Sequence, residues 1–148
     1  MANENSRHIR DVMTPNPQTV TQKDSIADVA RIMKDQDTGI VPVVDGKKII
    51  GMITDRDIVV RGIAEGKDIA NSSVSDVMTK HVRSVQEDTP IHDVLQMMSS
   101  AEIRRVPVVN RNDELVGIVS IGDIASDTNN DRSVGKALEN ISEAPPNN

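Results

Sequence analysis

The chain contains no cysteine, tryptophan, tyrosine or phenylalanine. Without cysteine there is no disulfide, no thiolate nucleophile and no zinc ribbon, a composition that suits a reducing cytoplasm. Without aromatic rings the core is aliphatic, and a slot for a heterocyclic base must have aliphatic walls. Binders of single-stranded nucleic acid offer rings on which bases stack, so that class is disfavoured. Positive charge is also short. Seventeen Lys and Arg stand against 23 Asp and Glu, a net charge of −6, which argues against a general binder of phosphate backbones or anionic membranes. A local basic site for a small anion remains compatible with that balance. The opening MANENSRHIR lacks the apolar h-region of a signal peptide, and no apolar run approaches the roughly 20 residues of a membrane helix. The expectation is a cytoplasmic protein with neither a nucleic-acid nor a membrane partner.

Catalytic constellations are absent too. There is no P-loop and no dinucleotide-binding glycine motif, and His8, His81 and His92 show no metal-ligand spacing. An enzyme needs a nucleophile, an acid–base pair or a metal. The sequence offers none of these, so the expectation is no enzyme, no metal site and no required cofactor.

What the chain does contain is a duplication. DVMT occurs at Asp11–Thr14 and again at Asp76–Thr79, 65 residues later. The same offset aligns Val20 with Val85, Ile26 with Ile91, Asp28-Val29 with Asp93-Val94, Met33 with Met98, and the VPVV at Val41–Val44 with that at Val106–Val109. One inserted residue then aligns Gly51 with Gly117, Thr54 with Ser120, and Asp57-Ile58 with Asp123-Ile124. Ordered matches over nearly a whole half-chain mark an internal repeat.

Each repeat reads as β-α-β-β-α. A short extended segment, Thr19–Thr21 or Ser84–Gln86, leads to a helix. The first helix runs from about Ser25 to Asp35, with Ile26, Val29, Ala30 and Met33 on one face and Asp24 or Ser25 as cap. The second starts near Pro90, a residue suited to the first helical position, with Ile91, Val94, Leu95 and Met98 inward. Two apolar runs then form a hairpin, Ile40–Val44 with Ile49–Ile53 and Val106–Val109 with Leu115–Val119. A second helix starts near Thr54-Asp55 or Ser120. The expected fold class is α+β: two such repeats at residues 8–62 and 76–126, joined by a polar linker at 63–75 and followed at 127–148 by a flexible tail with a short helix near Val134–Ile141. A single repeat cannot cover its own apolar sheet face, so the repeats should pack sheet to sheet with a pseudo-twofold. A pseudo-twofold duplicates any cleft.

The strings that carry chemistry are Gly51–Asp57, GMITDRD, and Gly117–Asp123, GIVSIGD. In each a hydroxyl sits where a strand gives way to a helix, and a carboxylate follows one turn later on the same face. Free N–H groups at such a junction suit a phosphate, and a carboxylate accepts both hydroxyls of a ribose diol. The same spacing is also that of a capping box, an ordinary helix start.

The DVMT lead-in, the VPVV strand and the G-x-x-[S/T]-x-x-D junction, each present twice, resemble a tandem pair of cystathionine-β-synthase-type (CBS) domains, a Bateman module, of the small stand-alone bacterial type. The resemblance covers roughly residues 8–126. It implies repeats packed sheet to sheet, frequent homodimers, and regulatory binding of AMP, ADP, ATP or S-adenosylmethionine in the clefts between the repeats. By that resemblance Asp57 and Asp123 would hold ribose hydroxyls, and Thr54 and Ser120 would lie near phosphate or ribose. Backbone at Ile40-Val41 and at Arg104, Arg105 and Val106 would read the adenine edge. Each cleft would borrow the lead-in of the other repeat, so that Thr14 and Gln18 join Ser120 and Asp123, while Thr79 and Arg83 join Thr54 and Asp57.

The two sites differ in their cations. Arg104-Arg105 precede the second VPVV where Gly39-Ile40 precede the first, and Arg56 lies inside the first motif where the second has Gly122. Arginine forks suit phosphate, although an Arg pair before a strand is also an ordinary solvated edge. The expected function is a regulatory module sensing an adenine-containing small molecule, acting on an unidentified protein. The competing expectation is a dimeric scaffold that senses nothing and docks onto a partner.

Overall fold

Local chemistry sets the helices of the first repeat. In the computed structural model, which describes residues 7–126 and 139–141, the Thr21 amide donates to Asp24 Oδ2 at 2.8 Å and closes a turn. Ser25 caps α1 (Ile26–Gln36) by accepting the Asp28 amide at 3.1 Å. Of the two candidate caps, Ser25 therefore fills the position and Asp24 orders the turn before it. Ile26, Val29 and Met33 are buried on one face of α1, whereas Ala30 is exposed. The helix ends at Asp37 with φ 51°, a left-handed cap that the short polar side chain tolerates.

Strands β2 (Ile40–Asp45) and β3 (Lys48–Thr54) then pair antiparallel across a two-residue turn in which Gly46 takes φ +64°. A left-handed residue at that place matches the twist of the strands, which is why glycine occupies it. After β3, a short α2 (Asp55–Asp57) runs on into a π-helical stretch, Ile58–Ile63.

The second repeat follows the same course. Helix α3 (Ile91–Ala101) buries Ile91, Val94, Leu95 and Met98. Pro90 stands just outside it as the N-cap with ψ 142°, one position earlier than expected. Having no N–H, it leaves no unpaired donor there. Strands β6 (Arg105–Val109) and β7 (Leu115–Ser120) form the hairpin, and α4 (Ile121–Ala125) follows. Its longer turn is built by Asn110, whose Oδ1 accepts the amides of Asn112 at 2.9 Å and Glu114 at 3.0 Å. Both hairpins carry a register shift at the same place, between Val43 and Val44 and between Val108 and Val109.

The short strands complete two sheets, in the orders β1-β7-β6-β5 and β2-β3-β4. Here β1 is Thr14–Pro15, β4 is Thr79–Lys80 and β5 is Val85–Gln86. β5 runs parallel to β6, and a single parallel bridge from Val20 to Val43 stands in the equivalent place of the first repeat. The compact units differ from the sequence repeats. One comprises residues up to 16 with those from 83 onward, and the other comprises Pro17–Val82. The segment leading into each repeat thus pairs with the hairpin of the other, β1 on β7 and β4 on β3.

Each unit has its own aliphatic core. One gathers Val20, Ile26, Val29, Val41, Val43, Ile53, Val74 and Val77. Val74, inside the segment read as a linker, is fully buried there, and its amide donates to the Asp24 carbonyl at 2.9 Å. The other core gathers Ile9, Ile91, Val94, Met98, Val106, Val108, Val119 and Ile124. Ile141 packs into this core at the end of a helical turn that includes Glu139 and Asn140. The rest of the expected tail lies outside the described residues. Among the described residues no helix is long and apolar enough to cross a membrane.

Candidate functional site: two hydroxyl–aspartate junctions

Both G-x-x-[S/T]-x-x-D strings form the capping box that their spacing permits. Thr54 Oγ1 accepts the Asp57 amide at 3.0 Å, and the Thr54 amide donates to Asp57 Oδ2 at 3.0 Å. Ser120 Oγ accepts the Asp123 amide at 3.0 Å, and the Ser120 amide donates to Asp123 Oδ2 at 2.9 Å. The structural role of these residues is therefore real. It leaves each carboxylate with unused lone pairs, since an ionised carboxylate has about four acceptor positions.

The glycine that opens each string lets the exchanged lead-in approach. A Cβ on Gly51 would stand 2.5 Å from the Thr79 carbonyl oxygen, and one on Gly117 would stand 3.0 Å from the Thr14 carbonyl oxygen. Close pairing of β4 against β3, and of β1 against β7, depends on those hydrogens.

Beyond this shared frame the sites diverge. Asp57 is the buried charged residue of the described chain, 8% exposed. The Thr79 hydroxyl donates to its carboxylate, 3.2 Å from each oxygen. Arg61, four residues on, brings Nε to 3.8 Å from Oδ1 and donates from Nη1 to the Met78 carbonyl at 3.2 Å. Thr54, Asp57 and Thr79 are thus brought together. Arg61, which is not among the expected site residues, joins them. Asp123 is half-buried, and apart from the capping box its carboxylate makes no bond or ion pair among the described residues. Thr14 lies on β1 opposite Ile118 and is exposed, and its hydroxyl does not bond to Asp123.

The backbone expected to read an adenine edge also differs. Thr38 folds back on β2, its hydroxyl donating to the Ile40 carbonyl at 3.2 Å and accepting the Ile40 amide at 3.3 Å. The second repeat has Ile103 at the equivalent position and no such lock. Val41 and Val106 are buried in their strands. Arg105 lies opposite Ser120 in the ladder, and Arg104 accepts the Ile121 amide on its carbonyl at 2.9 Å. The side chains of Arg56, Arg83, Arg104 and Arg105 are exposed, as is Gln18. His92 is exposed on α3. Among the described residues no group of three or more His, Asp or Glu could hold a metal ion.

The fold and these junctions define a protein built from a duplicated unit, each copy closing a three- or four-stranded sheet with a capped carboxylate at its strand–helix junction. The CBS domain profile matches residues 9–62 and again 74–127, and the chain belongs to the CBS domain family. It is 41% identical over 137 residues to the uncharacterized protein YlbB of Bacillus subtilis, covering 91% of each chain. It is 40% identical over 134 residues to the CBS domain-containing protein YhcV of the same organism, covering 90% of this chain and 94% of that one. Among solved structures it superposes on the CBS domain pair of protein MJ0100, in complex with 5′-methylthioadenosine and S-adenosyl-L-methionine. That match has a TM-score of 0.72 and 31% identity and covers 81% of this chain and 98% of the other. CBS pairs are generally regulatory, non-catalytic modules.

Proposed function

We propose that this chain is a regulatory module that binds an adenine-containing small molecule, AMP, ADP, ATP or S-adenosylmethionine, at its two hydroxyl–aspartate junctions. The observation that carries the reading is the junction itself, formed twice in one chain. At each, a carboxylate already fixed by a backbone amide keeps acceptor capacity for a ribose diol. The bound adenosine derivatives of the MJ0100 pair support the same class of ligand. In this reading Thr14, Gln18, Ser120 and Asp123 serve one ligand with Arg104, Arg105 and Val106. Thr54, Asp57, Thr79 and Arg83 serve the other with Arg56, Ile40 and Val41. The module acts in the cytoplasm on another protein and performs no chemistry on its ligand.

The test uses the missing aromatics. A chain without Trp or Tyr barely absorbs at about 280 nm, so a co-purified adenylate dominates the ultraviolet spectrum near 260 nm. Ligand at about 100 times its dissociation constant should add roughly 2.7 kcal/mol of stability, a rise in the circular-dichroism melting temperature of roughly 5–10 °C for a chain of this size. GTP should do little, because guanine reverses the donor–acceptor pattern of the base edge. A flat spectrum near 260 nm, with no shift from AMP, ATP, S-adenosylmethionine or adenosine, would leave the scaffold reading in its place.

A second observation supports self-association. Val59, Val60 and Ile63 on the π-helical stretch are the exposed large apolar residues of the described chain, at 54%, 43% and 59%. Such a cluster favours burial against a partner surface, and a second copy of this chain is the occupant we propose. Light scattering at micromolar concentration should give twice the 16.1 kDa chain mass, and Ile63→Asp should give the single-chain mass. A wild-type protein already at the single-chain mass would count against the dimer.

A further inference from the structure

The repeats differ at one pair of positions in a way that bears on ligand charge. Where the first repeat has Gly39 and Asp55, the second has Arg104 and Ile121. The two positions touch in both units, because the Asp55 amide donates to the Gly39 carbonyl at 2.9 Å and the Ile121 amide to the Arg104 carbonyl at 2.9 Å. In the first repeat the Asp55 carboxylate lies against Gly39, where a Cβ would stand 2.9 Å from Oδ2. Its Oδ1 accepts the Arg56 amide at 2.8 Å. With the Asp57 amide held by Thr54, the junction has spent its three backbone donors, one of them on a built-in anion. In the second repeat the amides of Ile121 and Asp123 are spent in the same manner, but the Gly122 amide finds no acceptor among the described residues. Gly122 is exposed, and Arg104 and Arg105 make no ion pair among the described residues.

Resting on the adenine-ligand reading above, we infer that Asp55 fixes the charge of the ligand at the first-repeat junction. That site takes an adenosine whose 5′ substituent carries no net negative charge, such as a thioether or a sulfonium, while the second-repeat junction takes the phosphorylated nucleotide. The Asp55 carboxylate sits on a backbone donor that a 5′ phosphate would need, and it repels that phosphate. The exposed arginines assigned to the two junctions, Arg56 and Arg83 at the first and Arg104 and Arg105 at the second, are equal in number, and Arg61 is turned onto Asp57, so the difference between the junctions lies in Asp55. Beside Ser120 the Gly122 amide is free, and among the described residues no carboxylate stands at the junction but the ribose clamp, Asp123.

The experiment is equilibrium dialysis of wild type, Asp55→Ala and Gly122→Asp with AMP and with 5′-methylthioadenosine. Wild type should bind one AMP tightly but two molecules of 5′-methylthioadenosine per chain. Asp55→Ala should strengthen the second AMP by about tenfold or more and leave 5′-methylthioadenosine unchanged. Gly122→Asp, at an exposed position where an added Cβ meets nothing nearer than Ser120 Oγ at 3.6 Å, should weaken the tight AMP by a similar factor and spare 5′-methylthioadenosine. Two equal AMP sites in wild type, or no change in AMP binding in either variant while 5′-methylthioadenosine still binds, would overturn the assignment to Asp55. No binding of either probe to any of the three proteins would overturn the adenine reading itself, and this inference with it.

Discussion

Asp123→Ala should weaken adenylate binding at the second-repeat junction by about 10- to 150-fold, the equivalent of losing charge-assisted hydrogen bonds worth about 1.5–3 kcal/mol. The carboxylate is half-buried, and its one hydrogen bond, from the Ser120 amide, orients it without exhausting its acceptors. A ribose diol therefore bonds to it without displacing any protein donor. Asp57→Ala should cost its own junction less. There the ligand must compete with the Thr79 hydroxyl and with Arg61, so part of the ribose bond energy is already offset in the free protein. Titration calorimetry on the two single variants checks both the size and the order. Equal losses at the two sites would show that the Thr79 and Arg61 contacts do not compete with ligand. No loss in either variant would remove the aspartates from the binding site. Asp123→Asn separates binding from folding, since its side-chain oxygen can still accept the Ser120 amide while the charge is gone. It should retain the wild-type melting temperature and lose affinity.

The helices and hairpins were legible in the sequence because their signals are local. Ile26, Val29 and Met33 at helical spacing behind Ser25 specify α1, and VPVV followed by a turn and a second apolar run specifies a buried hairpin. The pairing of each lead-in with the other repeat's hairpin carries no such signal. β1 and β4 are two residues long, too short to show alternation, and their pairing came only from the family resemblance. At the candidate site the capping boxes were legible as spacing, but the partners that distinguish the sites were not. Arg61 stands four residues after Asp57, a spacing at which opposite charges meet on a helix. The sequence does not show that the helical turn begun at Asp55 continues through Ile63, which is what carries Arg61 back to Asp57. The hydroxyl of Thr38 and the carboxylate of Asp55 act on their own neighbouring backbone, the common habit of short polar side chains beside turns. Nothing in composition separates such a residue from one that faces solvent. What did show in the sequence was the inequality of the repeats, through Arg104 against Gly39, and the structure ties that difference to Asp55.

Gly51→Val should destabilise the fold by about 3 kcal/mol, the upper part of the usual range for overpacking a close contact, and lower the melting temperature by roughly 10 °C. A Cβ at Gly51 would stand 2.5 Å from the Thr79 carbonyl oxygen, a distance that Cβ atoms do not adopt. The Met78 side chain, also in the way, is flexible and can turn aside. The carbonyl is part of β4 and can retreat only if the strand leaves β3, breaking the pairing of Met52 with Thr79 and of Gly51 with Lys80. Because Thr79 also carries the hydroxyl on Asp57, the same movement strips a donor from a carboxylate only 8% exposed. Gly117→Val probes the equivalent contact of β1 on β7, where the Cβ would stand 3.0 Å from the Thr14 carbonyl oxygen and no hydroxyl is pinned to Asp123. It should cost about 1 kcal/mol. Gly122→Ala, whose Cβ would meet nothing nearer than Ser120 Oγ at 3.6 Å, should change the melting temperature little. Urea titrations of the three variants give the order directly, with Gly51→Ala as the milder substitution should Gly51→Val fail to fold. If Gly51→Ala and Gly117→Ala prove as benign as Gly122→Ala, the close approach of the exchanged strands is not what the glycines are for.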